Sequence, residues 1–486
     1  MFFAAITDVV SPIDAVGSEV IDRAPKWLKT YAIETFGTDD KLALRIGIIT
    51  ILGIAALALG VAAVRRWWIG VVGIAVFGVV GAAAAIHRPG EAGGSAVPSV
   101  LGAIVGAFVL YKLVQPRSIP YPGASQAPLG WDRRRFLLAS GATVATATVA
   151  GAMGVQKEGQ RVSDLREAAA VPLPVSEVDA GAEIPPDAEL FDDTPFVTPN
   201  DEFYRIDTAF SFPRIEVDKW SFEITGMVDT PLTVTYADLL AMPQVERVIT
   251  LTCVSNEVGG DLIGNAVWRG VLLSDLLNEA GVQPSAEQVF STSVDGWTCG
   301  FPVAAAFDGR DAMVAVGMNG ATLPLEHGYP ARLVIPGLYG YVSATKWLAK
   351  IKLTSWDEQG YWVPRGWSRD APIKTQSRVD VVRAVSGASG AAGEYVIAGV
   401  AWAQHRGVDK VEVSIDDEPW QEAKLGADVS DDAWRQWLFE WDATEGEHRI
   451  RVRATDKTGE TQTEETARPD PNGATGYHRI KVTIDG

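Results

Sequence analysis

Val248-Ile249-Thr250-Leu251-Thr252-Cys253-Val254-Ser255-Asn256, followed by Gly259-Gly260, reads as a buried strand that ends in a thiol and then turns. Taken alone, a cysteine at a strand end is a small buried apolar residue. Around it, alternating segments such as Trp220–Ile224 mix with helical stretches such as Leu272–Leu277 and Pro302–Ala306. This mixture predicts an α+β domain over residues 197–373. From Lys374 onward strands recur at regular spacing, at Tyr395–Ala401, Lys410–Ile415, Trp434–Trp441, His448–Ala454 and Tyr477–Ile484, with turn clusters such as Asp416-Asp417-Glu418-Pro419 between them. The pattern predicts an immunoglobulin-like β-sandwich over 374–486.

Upstream, Ile46–Val64 and Trp67–Ile86 are uncharged runs of 19 and 20 residues, each close to the roughly 20 a helix needs to cross a bilayer. A third run, Ser95–Tyr111, continues to Val114, and a fourth, Phe136–Val155, is rich in Ala, Gly, Thr and Val. These predict spans at 46–64, 67–86, 95–114 and 136–155, and residues 1–155 as a four-helix membrane anchor. The fourth run follows Asp132-Arg133-Arg134-Arg135-Phe136-Leu137 and resembles a twin-arginine export signal, the address of a pathway for folded, cofactor-loaded proteins. Ala150-Gly151-Ala152 also reads as a small-residue cleavage site, though a retained helix is preferred.

Arg65 and Arg66 lie between the first two spans, and Lys112, Arg117 and Arg133–Arg135 between the last two. Both loops are expected inside, which puts His87, Arg88 and Glu91 outside with everything beyond Val155. His87 is the only histidine of this region, so paired axial histidines for a haem are excluded. Residues 156–196, rich in Ala, Pro, Glu and Asp, read as a tether.

Charge is segregated. Residues 1–155 carry 9 acidic and 13 basic residues against 52 and 29 in the rest, a net +4 and −23 within a total of −19. A basic nucleic-acid-binding surface is excluded for the second part. The only two cysteines, Cys253 and Cys299, exclude a disulfide framework and any four-cysteine metal site, while one disulfide stays open.

The chain also carries, in order, Asn200, Phe203-Tyr204-Arg205, Leu251–Asn256, Trp268-Arg269-Gly270, Met318-Asn319-Gly320, His327–Arg332 and Lys346-Trp347, then Gly399–Trp402, Val411–Asp417, Ala433–Arg435 and Tyr477–Ile480. This series resembles the sulfite oxidase family of molybdopterin enzymes across the α+β domain and the sandwich. The resemblance implies a molybdenum–molybdopterin cofactor with Cys253 as the metal ligand, since a thiolate supplies the strong donor such a centre needs. It implies pterin contacts at Asn200, Tyr204, Arg205, Asn256 and Asp295, and phosphate contacts at His327 and Arg332. Ser343, Thr345 and Lys346 match a second anchoring loop. Arg205 also belongs to the family's substrate-facing segment, and Tyr361 lies near the place of the family's active-site tyrosine. The family's dimerisation domain corresponds to 374–486, so a homodimer is implied.

Departures bear on the substrate. Sulfite oxidases place arginine after C-x-x-N, whereas Glu257 and Val258 follow Asn256 here, and the equivalent of a further substrate arginine near Arg468–Gly473 is ambiguous. The expectation is a membrane-anchored oxidoreductase transferring an oxygen atom to or from a small molecule outside the cell membrane. Electrons would pass through a separate carrier, a c-type cytochrome or a haem subunit. The rival expectation is a non-catalytic surface binding or assembly protein that keeps the fold.

Overall fold

The computed structural model describes residues 4, 9–25, 28, 31–32, 35–36, 40–88, 94–114, 133–170, 173, 178–181, 183–385 and 392–485. The chain divides into two compact units, Met1–Leu165 with Thr208–Pro213, and Arg166–Asp207 with Arg214–Gly486.

The first unit is helical: α1 (Pro12–Arg23), α2 (Asp40–Arg65), α3 (Trp67–His87), α4 (Val97–Val114) and α5 (Arg133–Ala169). Ser11 caps α1, its hydroxyl accepting from the Asp14 N–H at 3.1 Å, with Pro12 in the first turn. Four helices are long and apolar enough to cross a membrane: Lys41–Arg65, Trp67–His87, Val97–Val114 and Leu137–Ala169. Their residues Ile54, Leu57, Val61 and Val79 are apolar and exposed. Close approach of α3 and α4 depends on Gly78, where a Cβ would collide with Ala103. Glu91, Arg117 and Asp132, on which the loop-charge and export-signal readings partly rest, lie outside the described residues.

The fourth helix runs past the expected end at Val155, so the first part of the expected tether is helix. Residues beyond 155 are good helix formers joined by pairs one turn apart, Arg161 to Glu158 at 2.5 Å and Gln160 to Asp164 at 2.8 Å. The tether's last part is also built into the second unit. Strand β1 (Val178–Ala180) pairs in parallel with β4 (Gln244–Thr252), and Ala188, Phe191 and Phe196 are buried. The side chain of Gln436 accepts from the Leu190 N–H at 2.6 Å and donates to the Thr194 carbonyl at 2.6 Å. Residues 171–172, 174–177 and 182 of that stretch lie outside the described residues.

The expected α+β region contains two sheets. One has the order β1, β4, β5 (Ile263–Leu272), β8 (Met313–Met318), β10 (Arg332–Val334), with β9 (Ala321–Thr322) paired to β8. The other has the order β3 (Leu232–Thr235), β2 (Ser221–Gly226), β11 (Leu348–Thr354), β6 (Gln288–Ser293), β7 (Thr298–Pro302). A helix at Leu273–Ala280 follows β5 directly and buries Leu273, Leu276, Leu277 and Ala280. The expected helix at Pro302–Ala306 is only a single 3-10 turn, Val303–Ala306.

Two four-stranded antiparallel sheets complete the chain: β12 (Gln376–Ala384), β13 (Gly393–Trp402), β17 (Arg435–Ala443), β16 (Lys424–Leu425), and β15 (Gln421–Glu422), β14 (Val408–Ile415), β18 (Gly446–Asp456), β19 (His478–Ile484). Val379, Ile397 and Trp437 of the first and Val411, Val413, Ile450 and Val452 of the second share one apolar core. A separate core joins these sheets to the end of β4: Val248, Val254, Tyr339 and Tyr341 pack with Trp402 and Trp434.

Candidate functional site

Strand β4 delivers Cys253 into a tight turn. The Cys253 N–H donates to Leu262 O at 2.9 Å, the Asn256 N–H to Cys253 O at 3.0 Å, and the Ser255 N–H points to the sulfur at 3.4 Å. Asn256 braces the return of the loop, its Oδ1 accepting from the Leu262 N–H at 2.9 Å, while its buried Nδ2 has no partner among the described residues. Gly259 has φ +80°, and a Cβ there would strike the His478 ring, so the turn requires glycine. Cys253 is 8% exposed. Burial raises its thiol pKa, partly opposed by Ser255 and the positive charge of Lys346. Both cysteines are free and buried.

Three buried basic side chains, His327, Arg332 and Lys346, are grouped together, and Lys346 is in electrostatic reach of this thiol. His327 ends the turn Leu325–His327, and its Nε2 donates to Asn200 O at 2.9 Å, since a carbonyl can only accept. Its buried Nδ1 has no partner among the described residues. Burial, then the charge of Lys346, pushes the ring pKa down to about 4, so the imidazole is neutral near pH 7. Arg332 opens β10 and is 4% exposed. Its guanidinium donates to His327 O at 3.1 Å and Leu333 O at 3.3 Å and lies 5.0 Å over the Trp268 ring. No carboxylate pairs with it among the described residues, and burial lowers its pKa to about 10. Lys346 donates to Glu326 O at 3.0 Å and meets Asp207 at 3.3 Å, and burial holds it down to about 8.

The first segment is fixed from β8. Asn319, at φ +53°, donates through Nδ2 to Asn200 Oδ1 at 2.8 Å and accepts the Val267 N–H at 2.9 Å. Tyr204 stacks on Phe203 with ring centroids 5.2 Å apart, and burial and the nearby Cys253 raise its hydroxyl pKa. Arg205 Nε lies 2.9 Å from Asp207 Oδ2.

Other expected residues have structural duties. The Ser343 hydroxyl donates to Tyr339 O at 3.1 Å inside its own helical turn. Thr345 Oγ1 lies 2.7 Å from Ser291 Oγ and 3.1 Å from Cys299 Sγ. This sets Cys299 inside a buried polar knot whose burial lifts the thiol pKa to about 11. Asp295 forms the β6–β7 turn, accepting the Trp297 N–H at 3.1 Å, and the Val294 N–H binds Trp347 O at 2.8 Å, beside Lys346. Tyr361 stands against Trp362 with Arg365 3.7 Å over its ring.

Two residues escaped the sequence reading. Asp207 bridges Arg205 and Lys346. Tyr339, 2% exposed, has its pKa pushed up to about 12 by burial and, in smaller part, by Cys253, which puts its hydroxyl in electrostatic reach of the thiol.

Buried cations outnumber carboxylates here, the amide donor Asn256 Nδ2 is unpartnered among the described residues, and His327 Nδ1, unpartnered too, is the lone-pair nitrogen of the neutral ring and becomes a donor only when an anion beside it draws the ring into its protonated form. Burying such charge without a counter-ion is costly. The donor set fits a phosphate-bearing group with a soft-donor metal at Cys253.

Residues 209–362 match the oxidoreductase molybdopterin binding domain. Over 152 residues the chain is 34% identical to the uncharacterized oxidoreductase YuiH of Bacillus subtilis, covering 31% of this chain and 74% of that protein. The chain belongs to the sulfite oxidase family of molybdopterin-dependent oxidoreductases. It is 28% identical to the mitochondrial sulfite oxidase of Rattus norvegicus over 354 residues, spanning 62% of this chain and 64% of that one. Among solved structures, the sulfane dehydrogenase SoxCD of Paracoccus pantotrophus superposes with a TM-score of 0.52 at 25% identity, over 62% of this chain and 84% of that chain.

Proposed function

We propose that this protein is a membrane-anchored oxidoreductase that moves an oxygen atom to or from a small molecule on the extracytoplasmic side. The observation that carries the reading is the buried thiol of Cys253 in electrostatic reach of Lys346, which belongs with Arg332 and His327 to a buried group short of negative charge. The bound molybdenum–pterin group supplies two-electron oxygen-atom transfer. In one direction a substrate and water give the oxygenated product, two protons and two electrons, and reduction is the reverse.

The chain's own residues hold and shape this site. Cys253 would hold the metal as thiolate, Arg332 and Lys346 would neutralise the phosphate, and His327, kept in place by its bond to Asn200, would donate from Nδ1 once the phosphate had drawn a proton onto the ring. Asn200, Tyr204, Asn256 and Asp295 line the pterin, with Ser343 and Thr345 stiffening the loop that carries Lys346. Arg205 and Tyr361 face the substrate, and Tyr339, in electrostatic reach of the thiol, is a second tyrosine we place near the reacting centre. The four apolar helices serve as a multi-pass anchor, the fourth entered through a twin-arginine signal. The C-terminal sheets act as an immunoglobulin-like dimerisation domain, and the electrons pass through a c-type cytochrome or a haem subunit.

Metal analysis of protein from molybdenum-replete cells tests the reading: one molybdenum and one pterin per chain are expected, and their absence overturns it. Cys253→Ser is expected to lower activity by about 100-fold or more while the far-ultraviolet dichroism stays unchanged. A variant as active as the parent would remove Cys253 from the chemistry.

A further inference from the structure

After Asp207 the chain leaves the second unit and returns to it at Arg214; the six residues between, Thr208–Pro213, belong to the helical unit. Phe210 carries the attachment. It is 6% exposed, a Cβ on Gly17 of α1 would stand only 2.9 Å from its ring, and the Arg45 guanidinium of α2 lies 5.1 Å from the ring centroid. Arg45 is itself held, donating to Asp14 Oδ1 at 2.7 Å, while Asp14 Oδ2 accepts from the hydroxyl of Ser11, the cap of α1, at 2.8 Å. Beside the ring, Arg88 at the end of α3 donates to the Ser211 hydroxyl at 3.4 Å, and Arg161 of α5 donates to Phe212 O at 3.4 Å. Hydrogen bonds of that length are weak, so the buried ring dominates the attachment. On its other side the loop is continuous with Asp207, whose carboxylate meets Lys346 at 3.3 Å. Asp207 lies three residues before Phe210, a reach of at most about 10 Å of extended chain.

We propose that Phe210 is a positioning residue: seated against α1 and α2, it lets the helical unit restrain the segment Asn200–Asp207 in the geometry that retains the pterin group. The helices are then a support of the site as well as an anchor. The proposal rests on the reading of that segment as pterin-lining. Each link in the chain of restraint is a packing or charge contact. Gly17 leaves room for the ring, the ring fixes the loop, the loop limits the travel of Asp207, and Asp207 pairs with Lys346, which is in electrostatic reach of Cys253. A cofactor is held more tightly by groups already fixed than by groups it must order on binding. Freeing the ring therefore costs the site retention without removing any side chain that touches the cofactor.

The test uses purified full-length holoenzyme in detergent and two readouts. Trypsin cuts after arginine, and Arg205 and Arg214 bracket the loop, so the rate of cleavage there reports how often the loop lets go. The second readout is the rate at which pterin is lost to the filtrate, followed by its fluorescence after oxidation. Phe210→Ala is expected to speed both by about tenfold or more. Phe210→Leu, which keeps an apolar plug, is expected to stay within about threefold of the parent in both. Gly17→Leu takes the ring's place from the helical side while favouring the helix, and should reproduce Phe210→Ala without adding to it in the double variant. Pterin loss at the parent's rate in either variant whose loop is cut faster overturns the proposal, and so does parent-like cleavage in both. Where Phe210→Ala does not fold, Gly17→Leu decides alone. A parent without pterin overturns the proposed function instead, and the cleavage rates then decide whether Phe210 holds the loop.

Discussion

His327 donates one ring nitrogen to Asn200 and buries the other without a partner among the described residues. In the cofactor-free protein the ring must give up its proton to be buried, its pKa falling from 6.5 to about 4. Between those two values the unfolded chain binds more protons than the folded one, so stability rises with pH across that window and is flat above it. Denaturant unfolding of the cofactor-free protein should lose about 3 kcal/mol from this group between pH 6.5 and 4, and His327→Gln should lose that slope. A parent curve as flat as the variant's would contradict the burial argument. His327, Arg332 and Lys346 were singled out only through the resemblance of an ordered series of motifs to a family, and the structure groups the three. Asp207 was not, because a carboxylate two residues after an arginine in an irregular segment carries no periodic signal, and its duty appears only when Lys346 arrives from a distant loop. Tyr339 escaped for a similar reason: only electrostatic reach across the fold ties its hydroxyl to Cys253, with no mark in its own neighbours.

The turn between β4 and β5 is where a single element decides the site. A continuous apolar run, buried on both faces, made β4 readable, and alternation did so for β18 and β19, where one buried face imposes a period of two. The segment 178–196 did not announce itself, because Ala188, Phe191 and Phe196 are anchors without a period, and the extension of α5 past Val155 is polar helix, which lacks an apolar stripe. The Cys253 turn is held from the C-terminal sheets as well. Arg378 of β12 donates to Gly260 O at 2.7 Å and pairs with Asp380, and Val379 N–H donates to His478 Nδ1 at 3.0 Å, fixing the ring against which Gly259 is packed. Gly259→Ala meets both the left-handed backbone and the His478 ring, so a loss of about 1–3 kcal/mol is expected, read by denaturant unfolding. Molybdenum content should fall with it, because the displaced turn carries Cys253 and Asn256. Wild-type stability and metal content in that variant would show the turn to be more tolerant than its packing implies.

At the scale of the whole molecule, charge and core speak to different partners. Val254 of the thiol loop shares its core with Trp402 and Trp434, and the thiol-bearing region and the C-terminal sheets belong to one compact unit. The residues beyond 155 that include this body carry 52 acidic against 29 basic residues, and such a surface attracts a basic partner and repels an acidic one. The two cysteines are free and buried, and the described residues contain no group of three or more His, Cys, Asp or Glu able to hold a metal ion. A separate carrier for the electrons follows from the proposed chemistry. Its field-guided approach would be screened over about 8–10 Å at physiological salt, so the rate of electron transfer to a basic c-type cytochrome should fall steeply from low to high ionic strength, while an acidic acceptor stays slow throughout. Stopped-flow reduction of the two acceptors across a salt series measures this directly. A flat salt dependence, or equal rates for both, would remove electrostatic steering, because a surface of that charge cannot be neutral to the sign of its partner unless docking occurs away from it, through a subunit beside the apolar helices.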